Sequence, residues 1–156
     1  MIVDGEFIFQ GPRETVWDLL QDPEVLIKSL PGARSLTRTG ENRYEGTMRV
    51  GVGPVTAAEW TVQITLLDLV PPESYLMQVD SKGALGFTRG GARVELFEVE
   101  GGRTRMHYRA DLQIGGKVAG VGQRLLDQVS KLMTRQGLDA LNRELEARLA
   151  AGAGDR

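Results

Sequence analysis

RMHYRADLQIGGKVAGVGQRLLDQVSKLM, residues 105–133, contains the change of period that decides the fold. Up to Ile114 the stretch alternates. Met106, Tyr108, Ala110, Leu112 and Ile114 take one face, and Arg105, His107, Arg109, Asp111 and Gln113 take the other. Such alternation marks an antiparallel strand with one solvated face. After Gly115-Gly116 the spacing becomes helical, with Val118, Val121, Leu125, Val129, Leu132, Met133, Leu141, Leu145 and Leu149 forming a stripe that ends near residue 149. Roughly 30 residues at ~1.5 Å each make a rod of ~45 Å, long enough to cross a small sheet.

Working back from this hinge, period two persists to about residue 34. Gly101-Gly102 turns a hairpin, before which Ala92, Val94 and Leu96 alternate with Arg93 and Glu95. A glycine cluster (Gly83, Gly86, Gly90, Gly91) separates that strand from Tyr75, Met77 and Val79. Pro71-Pro72 closes a strand whose inward residues are Ala58, Trp60, Val62, Ile64 and Leu66, and Gly51-Val52-Gly53-Pro54 turns back to Tyr44, Gly46, Met48 and Val50. At the N-terminus, residues 2–10 read as a strand with Val3, Phe7 and Phe9 on one face. Gly11-Pro12 then starts a short helix with Val16, Leu19 and Leu20 buried and Trp17 on the flank. Asp22-Pro23 breaks it, and Glu24 to Leu30 forms a second short helix ending at Pro31-Gly32.

The expected architecture is α+β: a curved antiparallel sheet with two short helices after the first strand and a long C-terminal helix packed across it. Residues 1–149 form one domain, and residues 150–156 are a small polar tail expected to fray.

Composition excludes several function classes. A chain of 156 residues, 41% hydrophobic, supports one real core. A formal net charge of −2 gives no reason to expect nucleic acid. The sequence has no cysteine, hence no disulfide, thiolate metal site or cysteine nucleophile. Its first residues lack the basic and apolar regions of a secretory signal, and no window approaches the ~18 apolar residues of a membrane span. A soluble, cytoplasmic protein is the expectation.

His107, the single histidine, alternates in phase with Arg105 and Arg109 and belongs on the outer face. Without cysteine or inward carboxylates, neither a catalytic triad nor a metal cluster can be assembled. Gly120-x-Gly122 resembles a phosphate loop, but Leu125 stands where a dinucleotide fingerprint has its third glycine, and Lys117 lacks the Walker spacing. Inside a helix each of these glycines costs up to ~1 kcal/mol against alanine, and close packing on the sheet is the expected reason for them. Arg34, Arg38, Arg43, Arg49, Arg89 and Arg93 read as scattered surface charge that could meet anionic headgroups if it converged.

In order along the chain, Pro31-Gly32-Ala33-Arg34-Ser35-Leu36, Tyr44 to Val55, Asp68 to Tyr75, Gly86 to Ala92 and Ile114 to Leu125 resemble the CoxG family, named for the G subunit of carbon monoxide dehydrogenase, within the START-like superfamily (SRPBCC) with its helix-grip fold. The resemblance implies an accessory protein of molybdenum-containing carbon monoxide dehydrogenases and related hydroxylases, linked to membrane recruitment and to handling of a lipophilic quinone. It implies a hollow between sheet and helix where the residues alone suggest an ordinary core. Met48, Trp60, Val62, Met77, Val79, Val94, Met106, Tyr108, Leu125, Val129 and Met133 would line it, methionine and aromatic side chains being suited to flat apolar ligands. A C-terminal extension attaches some members to membranes. This sequence ends at Ala151 to Arg156 without one, so at most peripheral membrane contact is expected.

Three readings follow. The first is a non-enzymatic carrier of a quinone or other lipophile, without a covalent cofactor, serving such a hydroxylase. The second is a cyclase or dehydratase, as in other START-like branches, with Tyr108 and Gln136 as the polar pair. The third is a docking factor that carries nothing.

Overall fold

The computed structural model describes residues 1–52 and 55–154. Strand β1 (Ile2–Phe9) is followed by helices α1 (Arg13–Gln21) and α2 (Pro23–Ser29). Six strands come next: β2 (Ala33–Gly40), β3 (Arg43–Val52), β4 (Val55–Val70), β5 (Ser74–Gly83), β6 (Gly86–Val99) and β7 (Arg103–Gly115). A 3-10 turn at Lys117–Val121 leads into the long helix α3, Gln123–Gly154.

All seven strands form one antiparallel sheet in the order β1-β7-β6-β5-β4-β3-β2. Strands β2 to β7 are a simple meander, so only the link from β1 to β2 must cross from one edge to the other. Helices α1 and α2 make that crossing, which is why they stand directly after the first strand. Asp22 joins them. Its carboxylate accepts the Glu24 amide at 3.0 Å as the cap of α2, with Pro23 in the first turn.

The alternation read from the sequence is the observed register: Met106, Tyr108 and Ala110 on β7 lie opposite Leu96, Val94 and Ala92 on β6. The outer face carries cross-strand charge pairs, Arg105 with Glu6, Arg109 with Asp4 and His107 with Glu95, so His107 points away from α3 as expected. On the inner face, Gly46 and Gly90 let the sheet curl. A Cβ at either would run into a backbone carbonyl of the neighbouring strand, Ser35 or Asp111.

Four expectations about the C-terminal segment need correction. Regular α-helix begins at Gln123 rather than near 117, because Gly122 adopts φ +95°, ψ 152°, a conformation essentially restricted to glycine. A Cβ at Gly120 or Gly122 would meet nothing within 4 Å, so close packing on the sheet does not explain these glycines. The helix also continues to Gly154, into the segment expected to fray. Its buried stripe is displaced as well: Leu132 is 57% exposed, whereas Leu126 and Leu138 are buried. The turn expected at residues 51–54 includes Gly53 and Pro54, which lie outside the described residues.

Candidate functional site

The interior is packed at two ends and interrupted between them. One core joins α1, α2 and the C-terminal half of α3 to the sheet through Phe9, Val16, Trp17, Leu19, Tyr44, Tyr75, Val94, Leu96, Met106, Leu141 and Leu145. The other is smaller, built on Trp60, Val118 and Leu126 under the start of α3. Val79, Ala92, Ala110 and Met133 belong to neither core, and all four are half-buried. Small side chains contribute to this: Ala92 on β6 lies opposite Ala110 on β7.

The structure distributes the residues expected to line a hollow across these regions. Val94 and Met106 are buried in the larger core, and Met77 and Tyr108 lie half-buried on its margin. Trp60 centres the smaller core, with Met48, Leu125 and Val129 packed around it. Val62 is buried, and Val79 and Met133 stand in the gap. The eleven are thus divided between the two cores and the residues that belong to neither, with Val94, Met106 and Trp60 packed inside the cores.

Tyr108 lies across β1, with its hydroxyl over Gly5. Burial, and secondarily the Asp4 charge, push its phenol above the ordinary range, so it is protonated at neutral pH. Gln136 is exposed on α3, and no hydrogen bond joins it to Tyr108 among the described residues. Arg34, Arg38, Arg43, Arg49, Arg89 and Arg93 are all exposed. Arg89 and Arg93 face Asp80 and Glu95, and Arg38 is turned onto Tyr44 and the Gln21 carbonyl. Among the described residues no group of three histidine, cysteine or acidic side chains could hold a metal ion.

Two surface hollows lie away from the concave middle. One, of about 600 Å³, opens beside Met1 at the start of β1, where Met1 pairs with Leu112 of β7. Its wall mixes Leu112, Ile114 and Leu126 with Arg89, Asp111 and Gln123. The other, of about 620 Å³, lies around Asp18, Asp22, Leu36 and Arg38. Neither is walled by the residues expected to line a hollow.

Two aromatic residues absent from the expected lining, Trp17 and Tyr75, stand beside it. They meet edge to face inside the larger core, with ring centroids 5.4 Å apart. Trp17 is legible in the sequence as a helix flank and Tyr75 as the start of a strand. Their meeting depends on how α1 crosses the sheet, which periodicity does not encode.

Comparison with solved structures agrees with this architecture. A conserved protein from Geobacillus kaustophilus is 29% identical and superimposes with a TM-score of 0.89, over 94% of this chain and 96% of that one. An aromatase/cyclase from Streptomyces sp. R1128 is 16% identical (TM-score 0.70), over 96% of this chain and 95% of that one. A START superfamily protein from Mycobacterium smegmatis is 10% identical (TM-score 0.68), over 94% and 97%. The last two likenesses are of fold alone. No curated protein matches by sequence. No helix among the described residues is long and apolar enough to cross a membrane. The profile of the carbon monoxide dehydrogenase G-subunit (CoxG) family matches residues 5–146, nearly the whole sheet and most of α3, and the chain belongs to that family.

Proposed function

We propose that this protein is a non-enzymatic carrier of a lipophilic molecule, a quinone or other lipid, acting in the cytoplasm for a molybdenum-containing carbon monoxide dehydrogenase-like hydroxylase. The observation that carries the reading is the interrupted core. Val79, Ala92, Ala110 and Met133 are half-buried and belong to neither packed core, while Met77 and Val129 lie half-buried on the margins of the two. Apolar burial supplies the affinity, about 25 cal/mol per Å² before ordering costs. Family membership supports the link to a hydroxylase. The exposure of Gln136 on α3, without a hydrogen bond to Tyr108, weighs against the cyclase alternative.

The test fills the gap. Met77→Trp and Val129→Trp should each abolish uptake of a quinone probe while leaving the protein folded by circular dichroism. Unchanged uptake in both folded variants would remove the proposed site.

A further inference from the structure

We propose that the Tyr75 hydroxyl is the hydrogen-bond donor that fixes a neutral, oxygen-bearing lipophile at the closed end of the gap, an inference that rests on the carrier reading above. Tyr75 faces inward on β5, two residues before Met77 and four before Val79, so it stands where the interrupted surface meets the larger core. Its ring is held in place. Trp17 packs edge-on at 84°, and the residue is only 5% exposed.

The neighbouring polar groups have already used their hydrogen bonds. Tyr44 donates its hydroxyl to the Gln21 carbonyl at 2.8 Å. Arg38 Nη2 donates to the same carbonyl at 3.1 Å and to the Tyr44 hydroxyl at 3.3 Å. Tyr75 makes no hydrogen bond among the described residues. Its hydroxyl is nonetheless not sealed: the one fully enclosed side-chain polar atom without a partner, among the described residues, is Arg13 Nε. The nearly buried phenol thus keeps a donor that no protein group uses, free to be given to a small molecule in place of water.

The chemistry of the group defines what can arrive. Burial, reinforced by Tyr44, pushes the phenol far above its ordinary range, so it donates at any physiological pH. Trp17, Leu66 and Val94 in the same core are apolar or nearly so, which disfavours a charged head. A carbonyl, ether or hydroxyl oxygen on an apolar ring satisfies both conditions, and a plain hydrocarbon does not.

Two probes of one skeleton separate these cases: 2-methyl-1,4-naphthoquinone and 2-methylnaphthalene, measured by calorimetry and by infrared spectroscopy of the bound carbonyl. The chain has no cysteine to add to the quinone. Tyr75→Phe should weaken the naphthoquinone roughly 3- to 10-fold and leave methylnaphthalene unchanged. The bound carbonyl stretch should lie at lower wavenumber in the parent protein than in the variant. Equal binding of both probes by parent and variant overturns the Tyr75 assignment and leaves the carrier reading standing. A folded variant that loses both probes by the same factor assigns Tyr75 to shape alone and also overturns it. If the variant does not fold, an unshifted carbonyl stretch in the parent protein is decisive against the assignment. A parent protein that binds neither probe overturns the carrier reading and this inference together.

Discussion

The Tyr108 hydroxyl lies over Gly5 so closely that a Cβ at position 5 would sit 2.6 Å from it. The edge strand has given up a side chain to make room for an aromatic ring on the concave face. Gly5→Ala should therefore destabilise the fold by about 1–3 kcal/mol through overpacking. In a Tyr108→Ala background the same change should cost far less. Denaturant unfolding of the four proteins in this cycle gives the coupling directly.

Gly120 and Gly122 separate two reasons for a glycine. Both have open space where a Cβ would go, but only Gly122 has positive φ. Gly122→Ala should cost about 1–3 kcal/mol from backbone strain alone. Gly120→Ala should be neutral or slightly stabilising. Thermal melts of the two variants should differ accordingly.

The packed face of α3 can be tested at its two extremes. Leu145 is fully buried in the larger core, and Leu145→Ala should cost about 2–5 kcal/mol. Leu132 is the most exposed of the large apolar side chains among the described residues, and Leu132→Ala should change stability by no more than about 0.5 kcal/mol. Equal losses in urea titrations would contradict the observed burial of Leu145 and exposure of Leu132.

Tyr75 also predicts a pH dependence. Its folded pKa is raised, so the folded state keeps a proton that the unfolded state releases near the ordinary tyrosine value of about 10. The corresponding stability is fully present below that pH and is lost as pH rises above it. One such group contributes a slope of about −1.4 kcal/mol per pH unit. Tyr75→Phe should remove that component between about pH 10 and 11 in unfolding curves.

The strands were legible because one face of the sheet is wet: alternation from Tyr44 to Ile114 states the inward residues one by one. The two short helices were legible from Pro12 and from Asp22-Pro23, which act locally. The displaced stripe of α3 was not. Leu125 and Leu126 are adjacent leucines that both pack in the smaller core, and spacing alone does not say which is the more buried. The gap was half legible. Ala92 and Ala110 announce small inward residues, but their facing each other depends on register. Trp17 and Tyr75 are far apart in the chain, and their contact is one that tertiary packing alone creates.

The central claim, that the interrupted core holds a lipophile, is tested most directly by native mass spectrometry of protein purified without detergent, paired with organic extraction of the same sample. A stoichiometric mass increment, released on extraction as a quinone or other lipid, is the predicted result. An empty protein, still empty after incubation with quinone-bearing membranes, would contradict it.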